Sequence, residues 1–297
     1  MEGTILVTGA EGFVGSHLLA GLGERALALP GDVTDAQAVA EAVARRKPTA
    51  VVHLAAGSSV GASWGDPGEA WRVNALGTVN LLEAVRNLVP EARVLVVSTG
   101  EVYGRAEEIP TTEGAPVAPI TPYAASKAAA EVAAGQAQLA GLDVVVARAF
   151  QHEGPGRDER FAVGSWSAQI VRAEERGGGI VQVGDLTARR DITDVRDVVR
   201  AYEALLDPSV PAGTYNVASG RAVEMQEVLD ILVSLAACPI EVERDSERLR
   251  SAELPVLSGD ASRLRTATGW KPTISLEQTL ADTLQAARAA SERMASA

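Results

Sequence analysis

The stretch Thr4-Ile5-Leu6-Val7-Thr8-Gly9-Ala10-Glu11-Gly12-Phe13-Val14-Gly15 decides the fold. Residues 4–8 form a short apolar run that reads as a buried strand. Three glycines follow at intervals of three, and Val14, Leu18, Leu19 and Leu22 then recur with helical spacing. A strand that turns through glycines directly into a helix has a chemical purpose. One glycine permits the tight turn, one lets the backbone approach a pyrophosphate, and one lets the helix pack closely on the sheet. The helix start adds free N–H groups and the positive end of its dipole. Gly9, Gly12 and Gly15, with Phe13 and Val14 between them, are therefore read as a dinucleotide-binding turn rather than a structural one.

Beyond this turn, strands are expected at 25–29, 50–54, 93–98 and 143–149, alternating with helices that begin near Asp32-Val33-Thr34-Asp35 and cover 74–89 and 122–139. The strands are continuous β-branched runs, as in a parallel sheet covered on both faces. The fold class is thus α/β, a Rossmann-type doubly wound parallel sheet over residues 1–150. Residues 151–297 read as a smaller C-terminal α/β substrate-binding lobe whose elements interleave with the first domain. Strands are expected there at 180–183 and 214–217, and helices at 161–175, 194–206, 224–236 and 276–297.

Composition narrows the function classes. The chain has 297 residues, 46% of them hydrophobic, and a formal net charge of −12, which argues against bulk nucleic acid or an anionic membrane as partner. No apolar run reaches the roughly 18 residues of a membrane span, and no signal peptide is legible, so a cytoplasmic protein is expected. The one cysteine, Cys238, rules out an intramolecular disulfide and any cysteine-based metal cluster; it reads as a buried structural thiol, and no metal is expected. Only three of the basic residues are lysines (Lys47, Lys127 and Lys271), so a lysine in a motif stands out.

One does. Tyr123-Ala124-Ala125-Ser126-Lys127 places a phenol and an ammonium at i and i+4 on one helix face. A free tyrosine, with a pKa near ~10, is a poor acid–base at neutral pH, and a neighbouring cation is expected to lower it. Tyr123 then exchanges a proton with a carbonyl or alcohol while a nicotinamide exchanges hydride. Thr99, at the C-terminal end of a parallel strand, is placed to bond the substrate oxygen. Glu101 reads equally as a second acid–base or as a solvated loop carboxylate. After the second strand no acid follows directly, which tilts the cofactor expectation to NADP(H) over NAD(H); Asp32 is assigned to the adenine.

These motifs, with His53-Leu54-Ala55-Ala56, Asn74 and Ser98-Thr99-Gly100-Glu101-Val102-Tyr103-Gly104, resemble the extended short-chain dehydrogenase/reductase superfamily, also called NAD-dependent epimerase/dehydratases, over almost the whole chain. The resemblance implies that Val33, Leu54, Ala55, Ala56 and Asn74 join the cofactor site. The segments 151–157, 183–191 and 248–255 resemble GDP-mannose 4,6-dehydratases and their sister reductases, which turn GDP-4-dehydro-6-deoxy-D-mannose into GDP-D-rhamnose. Residues 190–197 and the compressed region 25–35 look more like the reductases. By this resemblance Arg190 and Arg250 bind the diphosphate of a GDP-hexose, Glu253 holds the GDP portion, Ser58 contacts the sugar, and Gln151 and Arg157 face the substrate. Two departures stand out. Gln151 replaces the usual Asn, and Gly100 replaces the acid of dTDP-glucose-type dehydratases.

Three functions follow as alternatives. They are a GDP-4-keto-6-deoxyhexose reductase, a dehydratase or 4-epimerase that retains its cofactor, and a non-catalytic cofactor-binding regulator, which would be expected to lose Tyr123 or Lys127. A homodimer through the helices at 74–89 and 122–139 is implied by the family.

Overall fold

A computed structural model describes residues 3–245 and 254–295. In chain order the first half holds β1 (Ile5–Thr8), α1 (Phe13–Leu22), β2 (Ala26–Ala28), α2 (Ala36–Arg46), β3 (Ala50–His53), α3 (Val60–Gly65), α4 (Pro67–Trp71), α5 (Gly77–Leu88), β4 (Arg93–Thr99), α6 (Pro122–Leu139) and β5 (Val144–Ala149). The second half holds β6 (Gln151–Glu153), α7 (Ala162–Glu174), β7 (Gly179–Val183), β8 (Arg189–Asp194), α8 (Val195–Leu205), β9 (Gly213–Val217), β10 (Ala222–Glu224), α9 (Met225–Ser234), β11 (Ile240–Arg244), β12 (Val256–Leu257), α10 (Ser262–Thr268) and α11 (Leu276–Ala295).

The central sheet is parallel, in the order β2-β1-β3-β4-β5-β9. Strands β1, β3 and β5 are buried at every position, which is why they read as predominantly apolar runs without in/out alternation. One core packs α1 and α8 against one face, and a second packs α2, α5 and α6 against the other. The strand order reverses between β1 and β3, where a doubly wound sheet opens a crevice at its carboxyl ends. Beyond β1 the sheet has a single short strand, β2, where the common Rossmann order has two. The compressed segment 25–35 is the cause.

A third core joins α7, α9 and α11 to β7, β8 and β10. The smaller lobe does not simply follow residue 150. Strand β9 returns to become the sixth strand of the central sheet, and α8 packs on α1. Asp191, within this lobe's β8, accepts hydrogen bonds from Ser219, Gly220, Ser258 and Gly259 and so ties two loops to one strand.

Two local expectations change. The helix expected at 74–89 runs in from α4 through a π-helical turn at residues 72–76, and α3 and α4 start at the side-chain caps Ser59 and Asp66, the latter followed by Pro67. Cys238 is half-buried rather than buried, because α9 ends at Ser234 and leaves it on a surface connection.

Candidate active site

A cleft of about 1010 Å³ runs along the carboxyl ends of the central strands. It is large enough for a dinucleotide and a second ligand, since single-ligand pockets span roughly 300–1,000 Å³. Its lining includes Gly9, Gly12, Phe13, Val14, Gly15, Leu54, Ala55, Ala56, Ser58, Thr99, Glu101, Tyr123, Lys127, Gln151, Arg157 and Arg190, so elements far apart in sequence converge there.

The glycine turn fits a pyrophosphate for steric reasons visible in the backbone. Gly9 has φ +64°, and a Cβ there would lie 2.7 Å from the Ala55 nitrogen. A Cβ on Gly15 would lie 2.3 Å from the Gly9 carbonyl oxygen. The segment 54–57 is held against this turn by a chain of hydrogen bonds. Ala55 N–H donates to Thr8 Oγ1 (3.0 Å), Thr8 Oγ1 meets His53 Nδ1 (2.8 Å), and His53 Nε2 meets Thr78 Oγ1 (3.0 Å). Thr78 spends its proton on the Asn74 carbonyl, so it accepts from His53 Nε2–H, and Nδ1 accepts from Thr8. Burial, aided by the positive charge of Lys127, pushes His53 down to about 3 and keeps it neutral.

Helix α6 sets the Tyr–Lys pair. Thr121 caps it, accepting from Ala124 N–H (3.1 Å), and Pro122 fills its first turn. Tyr123 follows at once and Lys127 one turn later. Asn74 does not line the cleft; it is buried, with Oδ1 accepting from Gly57 N–H (2.8 Å) and Nδ2 donating to Ser126 Oγ (2.9 Å). It braces the loop and helix that carry the site. Asp32 and Val33 also stand outside the lining. Asp32 is an exposed carboxylate that accepts from Thr34 N–H (2.9 Å) and lies 3.9 Å from Arg72, and Val33 is packed beneath Gly77. At that end the cleft is lined by Ala28, Leu29, Pro30 and Gly31.

The electrostatics of Tyr123 reverse the expectation. Burial drives its pKa up, the neighbouring Glu101 pushes the same way, and the Thr99 hydroxyl and Arg157 oppose them. The cation that opposes this rise is Arg157. Lys127 is itself buried; burial pushes it down to about 8, and Glu131, a further turn along α6, pulls it back up. Glu131 is in turn gripped by Arg148 (2.6 Å) and Ser98 (2.5 Å). Glu101 is therefore a half-buried carboxylate of the cleft, not a solvated loop acid.

The state of Lys127 has a consequence for stability. In the unfolded chain its pKa is near 10.5, and in the folded protein about 8. Between these values the unfolded chain binds more protons, so stability rises with pH across the window; below pH 8 the full penalty, about 3 kcal/mol, is present. Relative to Lys127→Met, the unliganded wild type is expected to gain stability between pH 8 and 10, with a flat difference from pH 6 to 7.5, measured by urea denaturation. A difference that stays constant throughout would mean that Lys127 is not buried as a cation.

Opposite α6, the segment 150–157 forms the second wall. Arg157 pairs with fully buried Glu153 (3.0 Å), and its guanidinium lies over the rings of Phe161 (3.7 Å) and Phe13 (4.9 Å). Gln151 donates to Glu153 (3.0 Å), and His152 stacks on Phe13. Burial and Arg157 push His152 down to about 4. Burial raises Glu153, and Arg157 is the main influence opposing that. Arg190 is half-buried and donates to the Leu254 carbonyl (2.7 Å), so it anchors the chain at the point where the smaller lobe meets the cleft. Arg250 and Glu253 lie outside the described residues.

Sequence reasoning missed Phe150. Its ring is buried in the cleft floor, and a Cβ on Gly100 would lie 2.7 Å from it on one side and a Cβ on Gly259 2.3 Å on the other. Gly100 is thus glycine because Phe150 fills its side-chain space. The only sequence signal was the absence of an acid at position 100.

The GDP-mannose 4,6-dehydratase family model matches residues 23–283. The chain is 36% identical to a GDP-6-deoxy-D-mannose reductase of Pseudomonas aeruginosa over 94% of this chain and 95% of that one. Its structure superposes on that of RMD from Pseudomonas aeruginosa complexed with NADPH with a TM-score of 0.89, at 35% identity, covering 97% and 99% of the two chains. It also superposes on a Thermus thermophilus UDP-glucose 4-epimerase in complex with NAD, with a TM-score of 0.86 at 29% identity over 97% and 99%.

Proposed function

Since the chain belongs to the GDP-mannose 4,6-dehydratase family, within the extended short-chain dehydrogenases/reductases, we propose that it reduces the C4 keto group of a GDP-linked 6-deoxyhexose with NAD(P)H, giving GDP-D-rhamnose from GDP-4-dehydro-6-deoxy-D-mannose. The near-full-length likeness to a GDP-6-deoxy-D-mannose reductase carries this reading.

NAD(P)H, when bound, would supply the hydride that C4 receives. The chain's own residues do the rest. Tyr123, kept protonated by burial and Glu101, is suited to give its proton to the oxygen of the carbonyl as it is reduced. Thr99, buried beside it at the end of β4, donates a hydrogen bond to the same oxygen and fixes the sugar. Lys127 holds the nicotinamide ribose. Gly9, Gly12 and Gly15 cradle the pyrophosphate, with α1 behind them. Arg190 and Arg157 are the candidate cations for the sugar nucleotide on the opposite side. The product is a C4 alcohol and the oxidised cofactor.

NADP(H) is the proposed preference over NAD(H). Residues 28–31 offer no carboxylate to bind a ribose 2′-OH or repel a 2′-phosphate. A homodimer through α5 and α6 is also proposed. Val79 on α5 and Val132 and Leu139 on α6 are exposed apolar side chains, the last 92% accessible. Sedimentation is expected to give twice the chain mass, and Val132→Glu to give monomers; a monomeric wild type would dispose of this interface.

A dehydratase retaining NAD(P) is the second reading, because Glu101 stands at the cleft beside Tyr123, where a base for C5 would be needed. Mass spectrometry separates the two. The reductase consumes NADPH only when the 4-keto sugar nucleotide is supplied and leaves GDP-mannose untouched. Conversion of GDP-mannose to a 4-keto product without added reductant would establish the dehydratase instead.

A further inference from the structure

The chain has four tyrosines, and three of them are at most 1% exposed. Two of those three satisfy their hydroxyls inside the protein. Tyr103 donates to Asn216 Oδ1 (2.7 Å) and Tyr215 to the Pro211 carbonyl (2.8 Å). The third, Tyr202, has a fully buried hydroxyl with no hydrogen-bond partner among the described residues. Phe would fill the same core space without burying a donor, so an orphaned phenol in this position calls for a partner.

The surroundings indicate where that partner comes from. Tyr202 lines the cleft, unlike the other orphaned hydroxyls, Ser167 and Thr193. It sits on α8, which packs on α1, β5 and β6. The ring therefore reaches the cleft from beneath the glycine turn and the end of β5, on the side assigned to the dinucleotide. At the ends of β5 and β6 it is near enough to Tyr123 for the two phenols to feel each other's charge. Burial, with Tyr123 adding in the same direction, keeps Tyr202 protonated and hence a donor.

We propose that Tyr202 is a cofactor-binding residue whose hydroxyl donates a hydrogen bond to an acceptor oxygen at the nicotinamide–ribose end of the bound dinucleotide. This rests on the reading of the cleft as an NAD(P)H site.

The test is Tyr202→Phe, with Tyr215→Phe as a control, in the full-length protein. NADPH and NADH are titrated by their fluorescence, and thermal unfolding is followed without cofactor. Tyr202→Phe is expected to weaken both cofactors about three- to tenfold, the worth of one hydrogen bond. The loss is equal for the two, because they differ only at the adenosine ribose. Its unliganded melting temperature stays level or rises. Tyr215→Phe, by contrast, lowers the melting temperature and leaves both affinities unchanged. Unchanged affinities in Tyr202→Phe, beside normal binding by the wild type, would overturn the assignment. A drop in its unliganded melting temperature would do the same, by revealing a partner within the protein. A raised KM for the sugar nucleotide with unaltered cofactor affinity would move the hydroxyl to the substrate. A wild type that binds neither dinucleotide would instead overturn the reading of the cleft itself.

Discussion

Tyr123→Phe is expected to lower kcat for keto-sugar reduction about a thousandfold while leaving NADPH affinity within about twofold of wild type. The size follows from the roughly 10²–10⁴-fold contribution of a positioned general acid. The selectivity follows from the geometry. The phenol stands in the first turn of α6, while the glycine turn and the 54–57 loop are held by Thr8, His53, Thr78 and Asn74, none of which depends on the Tyr123 hydroxyl. The backbone of residue 123, whose N–H donates to Ser63 Oγ (3.2 Å), is retained in the variant. Single-turnover reduction and fluorescence titration measure the two quantities separately. Full turnover in Tyr123→Phe would remove this residue from the chemistry; equal losses in turnover and cofactor affinity would make it a structural element of the cofactor site. Because Glu101 helps hold Tyr123 protonated, Glu101→Gln is the natural companion, and it should bring the phenol pKa down rather than abolish turnover.

Gly15→Ala is expected to reduce NADPH affinity more than a hundredfold and to destabilise the protein by about 1–3 kcal/mol, as overpacking typically does. The added Cβ would sit 2.3 Å from the Gly9 oxygen and 2.7 Å from both Cα and O of Ala10. All of these are backbone atoms, so no side-chain rotation relieves the collision. Either the turn opens or α1 slides, and each disperses the N–H groups that would receive a pyrophosphate. Gly12→Ala is a useful contrast. Its Cβ meets only the Gly9 oxygen, at 3.1 Å, so stability is largely retained while the pyrophosphate is held off by the methyl group. Urea denaturation and cofactor titration on both variants check the pair. Normal binding by Gly15→Ala would contradict the close helix–sheet contact on which the site is built.

Much of the central sheet was legible because its signals are local. The runs 50–54, 93–98 and 143–149 each hold three or more consecutive or near-consecutive apolar residues, since both faces of a parallel sheet are covered, and each appears as a strand within one or two residues. The smaller lobe was harder. Its strands β6, β10 and β12 are three residues or fewer and exist through pairing with β8 rather than through their own pattern. Strand β9 looked like part of the second half, and only its pairing with β5 shows that it completes the first. The site divides in the same way. The glycine turn, Thr99, Tyr123, Lys127, Gln151, Arg157 and Arg190 meet at one cleft, whereas Asn74, Asp32 and Val33 stand outside its lining, as a brace, a rim and a packing residue.

By itself the sequence determined the dinucleotide turn and the pairing of Tyr123 with Lys127. A glycine spacing and an i, i+4 interval are properties of a few consecutive residues, and local backbone geometry enforces them wherever they occur. The tertiary structure alone decided what those groups experience. Tyr123 is raised rather than lowered because burial and Glu101 outweigh Thr99 and Arg157, and Lys127 is lowered by burial against the pull of Glu131. Phe150 closes position 100, and Tyr202, 79 residues beyond Tyr123, brings a second phenol to the same cleft. Desolvation and Coulomb interaction act through space between segments distant in the chain, so no reading of spacing could supply them.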